Sequence, residues 1–377
     1  MNNKNSTIIR CFNSASVETF AGMIGIDLFA GGGGLTHGAR LSGIDVRVAV
    51  ESHPSACLTY QANHPHITVI ATDIINVETI DIGDRDKPVV LFGGPPCQGF
   101  STSNQRTRHA QNPKNWLFRE FLRMVGSVKP EWVVFENVAG ILQTDSGRFA
   151  ESFRDELTRM GYRTAFGVLN AVDFGCPQKR SRYFLIGSLN TEPELPIPST
   201  SLLAPTLWEA IGDLPELLNG AEEDILTYGH VTPSTYARSL KAGLERCTGH
   251  LVSRNADPIV ARYRHVPQGG NWQDIPGMMR DPVTDRRRYH SGIYKRLVQD
   301  APSVVIGNFR KSMLIHPTQD RGLSVREAAR IQSFPDRYLF RGSIGFQQQQ
   351  VGNAVPPILA KAVFDSVVTI SNQVGGR

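Results

Sequence analysis

Short apolar segments alternate with amphipathic segments through the first half of this 377-residue chain. The apolar segments, such as Met23–Phe29 and Val89–Phe92, are rich in β-branched residues and end at glycine or acidic residues. Between them, Leu35–Leu41 and Trp116–Val128 have helical spacing. Further strands are expected at Val46–Val50, Ile67–Ala71, Trp132–Phe135, Phe166–Leu169 and Tyr183–Ile186. Strands of this length alternating with helices predict an α/β fold with a doubly wound, mostly parallel sheet.

The alternation stops near residue 187. Residues 188–206 contain four prolines, and 207–320 are irregular and rich in Gly, Arg and aromatic residues. Helical spacing returns at Ser324–Gln332 and Pro357–Ile370. We therefore predict a loose extension at 1–20, a main domain at 21–190, a smaller irregular domain at 191–320, and a segment at 321–377 that returns to the main domain.

Cys97 lies in the segment Gly93–Ser101, with the sequence GGPPCQGFS, directly after an apolar strand. A cysteine is often only a small core residue. Here two prolines precede it and Gly-Phe-Ser follows it, which is not the pattern of a core strand. The segment predicts a thiol presented at the carboxyl edge of the sheet, where open α/β folds place their ligands.

The run Asp27–Gly34, with the sequence DLFAGGGG, closes the first strand and opens a helix. Its glycines allow close backbone approach and leave helix N–H groups for a ligand. The spacing is a poor match to a dinucleotide site, but Glu51 ends the second strand, where an acid binds ribose hydroxyls. Asp73 and Ile74 end the third strand, where a carboxylate reaches an adenine amine. Together these features predict a nucleoside cofactor.

Two further charged groups follow predicted strands. Glu136 ends the strand that neighbours the one before Cys97, and Arg180 and Arg182 lie beside Tyr183–Ile186. Alternation places the two arginines on one face. In isolation such residues are usually solvated, but here they are expected to complement Glu136, a phosphate or a base.

Charge and cysteine usage limit the function classes. Residues 236–321 hold 15 Lys and Arg against 7 Asp and Glu, a basic block of the kind that binds polyanions. The five cysteines form no C-x-x-C pair, which argues against a disulfide framework and a zinc site and for a reducing cytoplasm. The polar N-terminus lacks a signal-peptide core, and no apolar run looks long enough for a membrane span.

The motifs, in their order along the chain, resemble those of the bacterial restriction–modification type of DNA (cytosine-5-)-methyltransferase. The matching segments are DLFAGGGG, PPCQGFS, Glu136-Asn137-Val138, the Q-x-R-x-R pattern at Gln178–Arg182, and Gly352-Asn353-Ala354-Val355-Pro356. The resemblance implies the S-adenosylmethionine-dependent methyltransferase fold, with S-adenosylmethionine as cofactor. The residues that it implies for cofactor binding are Asp27, Phe29, Gly31, Gly32, Gly34, Glu51, Asp73, Ile74, Gly94, Pro96, Asn353 and Val355.

The same resemblance implies the catalytic chemistry. A thiolate at Cys97 adds to carbon 6 of cytosine, which makes carbon 5 nucleophilic, and Glu136 protonates or hydrogen-bonds ring nitrogen 3. By the motif match, Arg180 binds the cytosine carbonyl and Arg182 orders the catalytic loop. The target carbon is unreachable inside a duplex, so the base must be flipped out. We expect residues 102–115 to form a mobile loop that closes over the DNA.

In this interpretation 21–190 is the catalytic and cofactor-binding domain, and 191–320 is the target-recognition domain. The segment Arg326–Pro335 resembles the family motif that supports the latter. Double-stranded DNA is the expected partner, through phosphate contacts and bidentate Arg contacts to guanine. The candidate DNA-binding residues are Gln98, Ser101, Arg106, Arg108, Arg262, Arg264, Arg286, Arg287, Arg288 and Arg310.

Three alternatives stay open at this point. An RNA (tRNA) cytosine-5 methyltransferase would use the same chemistry, but Gly99 and Ser101 and the long basic insertion favour DNA. A thiol hydrolase would need a histidine partner, and a non-catalytic DNA-binding module would not need Cys97 with Glu136 and Arg180. We further expect a monomer, bacterial and cytoplasmic, associated with the nucleoid through DNA, with a cognate restriction endonuclease, and no metal.

Overall fold

The computed structural model describes residues 22–96, 117–143, 147–200, 203–279, 291–307, 309–311 and 313–375. These residues form two compact units. The sheet unit holds the described residues up to 174 together with 181–200 and 355–375. The second unit holds 175–180 and the described residues of 201–354. Residues 321–354 thus pack with the second unit, whereas the sequence interpretation assigned all of 321–377 to one segment of the main domain.

A seven-stranded sheet forms the centre of the sheet unit, in the order β3-β2-β1-β4-β5-β7-β6. Strand β7 runs antiparallel to both of its neighbours, and the other pairings are parallel. This confirms the doubly wound, mostly parallel sheet. The strands are β1 (Ile24–Leu28), β2 (Asp45–Val50), β3 (Thr68–Ile70), β4 (Val89–Gly93), β5 (Trp132–Val138), β6 (Arg163–Asn170) and β7 (Ser181–Ser188).

The register of the central strands brings their carboxyl ends to one edge. Leu28, the last residue of β1, is level with Val50 of β2 and with Gly93 of β4. Gly93 is in turn level with Phe135 of β5. Because all four strands run in parallel, the loops that follow them start side by side at this edge.

Helices cover the sheet with their apolar faces. In α3, Phe121, Leu122 and Val125 are buried and Leu117 is partly buried, on the face that the helical spacing predicted, and Met124 is buried as well. The helices of this unit are α1 (Gly34–Leu41), α2 (Pro54–Asn63), α3 (Leu117–Val128), α4 (Arg148–Arg159) and α10 (Pro357–Gly375). Helix α10 begins with a proline, whose missing N–H costs nothing at a first turn.

Helix α10 packs closely on α1. A Cβ atom placed on Gly38 would lie 2.3 Å from the Cβ of Ala360, so only glycine allows this approach. The stretch Ile344–Gln373 is long and apolar enough to cross a membrane by length and composition, contrary to the sequence expectation, and half of its apolar window is buried. A core helix passes the same test, and α10 is packed as one. The stretch is therefore weak evidence for a membrane span.

The second unit contains short helices and a small two-stranded sheet. Its elements are α5 (Leu207–Ile211), β8 (Leu226–Thr227), α6 (Thr235–Lys241), β9 (Arg246–Cys247), α7 (Asp257–Tyr263), α8 (Val325–Ile331) and α9 (Ile344–Asn353). A small apolar core joins Tyr263, Val266, Ile275, Tyr294 and Ile315. Further apolar residues of the unit are buried elsewhere, among them Leu207, Leu240 and Ile331. Buried polar contacts add to this packing.

Buried arginines on and beside α8 make most of these contacts. Arg321 forms two hydrogen bonds to Glu327, at 2.6 and 2.9 Å. Arg330 bonds Asp336 at 2.7 Å and also pairs with Asp213, 117 residues away in sequence. Arg326 donates to the carbonyls of Thr248, Pro335 and Tyr338. A charge buried in this way is costly unless it is paired, so these contacts hold distant segments of the irregular unit together.

Candidate active site

The glycine-rich loop after β1 adopts the backbone conformation that its composition allows. Phe29, Gly31 and Gly33 have φ values of +58°, +55° and +82°, all in the left-handed region. Ala30 donates its backbone N–H to the Val50 carbonyl at 3.1 Å, which fixes the loop against the end of β2. The loop then enters α1 at Gly34, leaving its backbone at the edge where the strands end.

Glu51 follows β2 and binds that loop directly. The Gly31 N–H donates to Oε2 of Glu51 at 2.8 Å, and the His53 N–H donates to Oε1 at 2.7 Å. Both carboxylate oxygens are therefore oriented by backbone groups, and the side chain remains partly exposed. A carboxylate held in this way is suited to accept hydrogen bonds from the hydroxyl groups of a nucleoside.

Asp73 lies three residues beyond β3 and caps a short helical turn. Its carboxylate accepts a hydrogen bond from the Ile75 N–H at 3.1 Å. Asp73 is exposed, and Ile74 beside it is buried. An exposed acid and a buried apolar residue at adjacent positions fit the predicted polar and apolar contacts of a purine base.

Two glycines at the end of β4, Gly93 and Gly94, leave no room for a side chain. A Cβ atom on Gly93 would lie 2.0 Å from the Leu28 carbonyl oxygen, and a Cβ atom on Gly94 would lie 2.4 Å from Oε2 of Glu136. The segment that leads to Cys97 therefore passes directly against the Glu136 carboxylate. Pro95 and Pro96 follow and stiffen the chain.

Glu136 is held by its neighbours on β5 and β7. Nε of Arg182 lies 3.0 Å from Oε1 of Glu136, and both side chains are only about a tenth exposed, at 11% and 12%. Asn137 donates from Nδ2 to the Pro95 carbonyl at 3.4 Å. The sequence predicted Glu136 and Arg182 but gave Asn137 no role. Its place beside Glu136, at the end of a strand, was the available signal.

Arg180 does not lie where the sequence placed it. Strand β7 begins at Ser181, so Arg180 and Arg182 do not share a strand face, and Arg180 belongs to the second unit. Its side chain is fully buried, and Nη2 donates to the carbonyls of Gly352 at 2.8 Å and Asn353 at 3.2 Å. In this structure Arg180 thus fixes backbone of the second unit, and its expected contact with a cytosine carbonyl stays a prediction.

Gln178 joins Arg180 in this buried cluster and was missed as a functional residue. Its Oε1 accepts from the Ile306 N–H at 3.1 Å, and its Nε2 donates to Oε1 of Gln332 at 2.8 Å. Gln332 in turn donates to the carbonyls of Val351 at 2.7 Å and Ala354 at 3.2 Å. The Q-x-R-x-R pattern contained this glutamine, but its partners lie more than 120 residues away.

The two C-terminal candidates for cofactor binding fall in different units. Asn353 is exposed at the end of α9 in the second unit, and Val355 is buried in the sheet unit. The predicted cofactor residues of the sheet edge that the structure describes (Asp27 to Gly34, Glu51, Asp73, Ile74, Gly94 and Pro96) all belong to the sheet unit.

Several predicted residues lie outside the described part of the chain. They are the catalytic Cys97, the loop candidates Gln98, Ser101, Arg106 and Arg108, the rest of the expected closing loop at 102–115, and the arginines Arg286, Arg287 and Arg288. The structure places the strand, glycines and prolines that precede Cys97, and these fix where the thiol-bearing segment starts.

Three of the arginines predicted to bind DNA lie in the described part of the chain, and their environments differ. Arg262 donates to the Met279 carbonyl at 2.7 Å and to the Tyr294 hydroxyl at 3.0 Å, so it supports a loop. Arg264 has a 70% exposed side chain with a distant ion pair to Asp320. Arg310 is also exposed. Arg264 and Arg310 are therefore the better placed of the three for contact with DNA.

The donor set fits S-adenosylmethionine. The glycine loop leaves close backbone access, and backbone N–H groups orient both carboxylate oxygens of Glu51 in a way that suits ribose hydroxyls. Asp27, which the resemblance also assigned to the cofactor, is fully buried and presents no group at this edge. Within the described ranges, no group of three His, Cys, Asp or Glu side chains is arranged to hold a metal ion. The described cysteines, Cys57, Cys176 and Cys247, are buried and unpaired by disulfides.

Comparison with known proteins identifies the class and then the family. The sheet order, the antiparallel β7 and the glycine loop define the methyltransferase class that uses S-adenosylmethionine. A crystal structure titled as a putative DNA modification methyltransferase encoded within an Escherichia coli prophage has a TM-score of 0.75 and 25% identity, over 93% of this chain and 99% of that one. The family model for C-5 cytosine-specific DNA methylases matches residues 23–369, and this chain belongs to that family. It is a DNA (cytosine-5-)-methyltransferase.

Sequence relatives agree with this assignment. The chain is 37% identical to Type II methyltransferase M1.HphI of Haemophilus parahaemolyticus, over 92% of this chain and 87% of that protein. It is 33% identical to Type II methyltransferase M.DdeI of Desulfomicrobium norvegicum, over 91% and 88%. The Schizosaccharomyces pombe Dnmt2 methyltransferase has a TM-score of 0.56 at 18% identity, over 93% of this chain and 99% of that one, which shows a shared fold alone.

Proposed function

We propose that this enzyme transfers a methyl group from S-adenosylmethionine to carbon 5 of a flipped-out cytosine in a specific double-stranded DNA sequence. The observation that carries the proposal is the arrangement at the ends of β4 and β5. There the segment leading to Cys97 passes against Glu136, and Arg182 and Asn137 hold the two together. Placing a nucleophile next to an acid on neighbouring strand ends is what addition to a cytosine ring requires.

In the proposed reaction, the Cys97 thiolate adds to carbon 6, and Glu136 hydrogen-bonds or protonates nitrogen 3, which accepts the charge. Carbon 5 then takes the methyl group, which the bound cofactor supplies. Water accepts the proton from carbon 5, the Cys97 thiolate leaves carbon 6, and a proton taken up at nitrogen 3 returns to Glu136, which restores the aromatic ring. The Arg182 guanidinium keeps Glu136 oriented toward the base edge through this sequence.

The cofactor is proposed to bind at the carboxyl edge of the sheet. Glu51 accepts from the ribose hydroxyls, Asp73 and Ile74 contact the adenine, and the loop from Phe29 to Gly34 lies along the amino-acid portion. Glu51→Ala should weaken S-adenosylmethionine binding, measured by calorimetry. Unchanged binding by this variant would refute the ribose assignment.

The mechanism is tested with duplex DNA that carries 5-fluorocytosine at the target. Fluorine cannot leave as a cation, so a covalent adduct should accumulate on the wild-type enzyme and map to Cys97. Cys97→Ser is the matched variant: it should bind cofactor and DNA but form no adduct and transfer no methyl group. An adduct on Cys57, Cys176 or Cys247 would show that the nucleophile is wrongly chosen.

Recognition of the DNA sequence is proposed for residues 191–320, which carry much of the basic block. Exchange of residues 190–320 with those of a relative should change the methylated sequence, as read by bisulfite sequencing. Phosphate contacts from the basic block should make DNA affinity fall steeply as the salt concentration rises. Removal of an arginine that contacts a base should instead weaken discrimination at one position of the site by about 1–3 kcal/mol. A chimera that still methylates the original sequence would place recognition elsewhere.

The biological setting is also a proposal. The names of the relatives favour a restriction–modification system in a bacterial cytoplasm, with a cognate endonuclease that cuts the same sequence when unmethylated. We propose that the enzyme acts on DNA as a monomer. Size-exclusion chromatography with light scattering, with and without a target duplex, tests this, and a stable dimer in both samples would contradict it.

A further inference from the structure

Asp27 is a fully buried carboxyl group in β1, one residue before the strand ends. Its Oδ2 accepts a hydrogen bond from the Thr36 hydroxyl at 2.6 Å. Its Oδ1 is also buried and has no hydrogen-bond partner among the described residues. A side chain enclosed in this way does not reach a cofactor by direct contact. An unsatisfied carboxylate oxygen at the base of a binding loop therefore needs another explanation.

The Thr36 hydroxyl contacts a residue of α2 as well as Asp27. Thr36 lies on α1, and its Oγ is also 2.6 Å from the hydroxyl of Tyr60 on α2. Both side chains are fully buried. The chain from Asp27 through Thr36 to Tyr60 thus ties the end of β1 to α1, which follows the glycine-rich loop, and to α2. We call these three residues the Asp27 relay.

The charge state of Asp27 differs from that of an ordinary aspartate. Burial raises the pKa of Asp27 to about 8; the hydrogen bond from Thr36 acts in the opposite direction, and the Glu51 carboxylate adds to the rise. The other titratable or charged groups on the neighbouring elements are Asp45 and Arg47 on β2, His37 and Arg40 on α1, and Cys57, Tyr60 and His64 on and after α2, while β4 supplies none. Near pH 7 the free protein holds Asp27 protonated.

We propose that the Asp27 relay positions the cofactor loop and that Asp27 loses its proton when the cationic methyl donor binds. The inference rests on the proposed function, because it takes S-adenosylmethionine as the ligand. The fixed positive charge on the sulfur favours the carboxylate over the neutral acid. Binding therefore converts the Asp27 carboxylic acid to a carboxylate and releases one proton to solvent.

The relay accommodates both charge states. In the free protein, a protonated Asp27 donates or accepts at Thr36, and the Thr36 and Tyr60 hydroxyls turn to match. With Asp27 ionised, Tyr60 donates to Thr36 and Thr36 donates to Oδ2. Two rotatable hydroxyl groups thus allow the carboxyl to change charge without moving the backbone of β1 or the loop that follows it.

The test is calorimetry of S-adenosylmethionine binding at pH 7 in buffers of different ionisation enthalpy, which counts the protons released. S-adenosylhomocysteine is the matched ligand, since it has the same nucleoside and amino-acid parts but no charge at sulfur. We expect wild-type protein to release up to one proton more with S-adenosylmethionine than with S-adenosylhomocysteine. In Asp27→Asn this difference should vanish. Equal proton release for the two ligands in wild type would overturn the inference.

The pH dependence of affinity gives a second readout. Between pH 6 and 7.5, the ratio of the two ligands' affinities should rise with pH in wild type, by up to tenfold per unit, and stay flat in Asp27→Asn. Thr36→Ser keeps the hydroxyl and should retain the slope of the affinity ratio against pH. Thr36→Val should weaken the binding of both ligands. A flat ratio in wild type would refute proton coupling.

A third readout needs no ligand. Because the folded protein holds the Asp27 proton and the unfolded chain does not, stability should fall as pH rises from about 4 to 8, and Asp27→Asn should remove this part of the fall. Unfolding midpoints of the two proteins measure it. Failure of wild type to bind S-adenosylmethionine at all would instead refute the proposed function, so the two failures are distinguishable.

Discussion

Arg182 reaches Glu136 diagonally across the antiparallel pair of β7 and β5, with Nε 3.0 Å from Oε1. The register sets Arg182 opposite Val138 and Glu136 opposite Phe184, so the ion pair spans two residue positions. Both partners have little exposure, which keeps water from competing for the carboxylate. The orientation of the proposed catalytic acid thus depends on a residue from a strand that the chain reaches 46 positions later.

Arg182→Met should therefore lower the rate of methyl transfer by about 100-fold, because loss of the pair lets Glu136 rotate away from the base. Affinity for DNA should change much less, since in the proposed mechanism Glu136 contacts the cytosine ring and neither partner contacts a phosphate. Single-turnover methylation and DNA titration on the same preparation measure the two effects. Arg182→Lys keeps the positive charge but not the planar guanidinium, so its methylation rate should lie between those of wild type and Arg182→Met. A rate equal to wild type in both variants would contradict this role.

Gly94→Ala should disable the enzyme while leaving it folded. The added Cβ atom would lie 2.4 Å from Oε2 of Glu136, so either the carboxylate or the segment before Cys97 must shift. A shift on the scale of 1 Å costs about 100-fold in rate. Gly126→Ala is the matched control, because Gly126 lies on the exposed face of α3 and an added Cβ atom meets nothing within 4 Å. The control should stay fully active and gain about 0.5–1 kcal/mol of stability. Equal rates for the two alanine variants would refute the steric argument.

The second unit should lose stability on acidification. Burial lowers the pKa of His316 to about 4, so the folded protein excludes a proton that the unfolded chain binds below pH 6.5. This contribution is present above pH 6.5 and is lost as pH falls toward 4, at a cost of roughly 2–4 kcal/mol. Thermal unfolding between pH 7 and 4 measures it. His316→Asn, which cannot take up a proton, should flatten this part of the profile. An unchanged profile in that variant would assign the acid sensitivity to other groups.

Glu327 should cause a further loss of stability at lower pH. Although burial acts in the opposite direction, Arg321 and His316 hold the pKa of Glu327 at about 2, below its ordinary 4.5. Its contribution is therefore present above pH 4.5 and is lost as pH falls toward 2. Glu327→Gln should remove the additional loss below pH 4.5, measured by the unfolding midpoint. That variant also leaves the Arg321 guanidinium without its counter-charge, so its midpoint at pH 7 should already be lower than wild type.

Gln178→Glu should destabilise the second unit. The change replaces the amide that donates to Oε1 of Gln332 with a carboxyl oxygen, in a fully buried position. Leaving a buried polar group without its hydrogen bond costs about 1–3 kcal/mol of stability, and more if the group is charged. Denaturant unfolding measures the loss. Gln268→Glu, at an exposed position of the same unit, is the control and should be nearly neutral. Equal stabilities for the two variants would show that the Gln178 contacts contribute little.

Local sequence patterns located most strands of the sheet unit, but they left out helix α4 and predicted β6 at Phe166–Leu169 where it runs from Arg163 to Asn170. The alternation of apolar runs placed β1, β2 and β4 within two residues of their observed bounds, because buried parallel strands are largely apolar. It placed β7 equally well, because this antiparallel strand is also buried along most of its length. β5 was predicted too short. It runs on to Val138, because pairing with β7 extends it past the apolar stretch to include Glu136 and Asn137.

Contacts between distant segments could not be predicted in the same way. Arg180 appeared to continue the alternation of β7, but its partners are backbone carbonyls 172 and 173 residues away. The ion pair of Arg330 with Asp213 joins positions 117 residues apart. No local period encodes such pairings, since they depend on which segments the irregular unit brings together. The relation of Asp27 to Thr36 is near in sequence, yet its importance follows from burial, which only the fold reveals.

The chain passes between its two units at residues 174–175, 180–181, 200–201 and 354–355. A gene fragment that encodes 201–354 would therefore arrive in a new host without Gln178 and Arg180, which the recipient has to supply. With the proposed recognition role of this segment, its exchange between related enzymes requires a donor whose 303–307 and 351–354 backbone accepts the recipient's glutamine and arginine. The buried side chains of Gln178 and Arg180, in the six-residue segment 175–180, therefore have to match any 201–354 segment that replaces the original one.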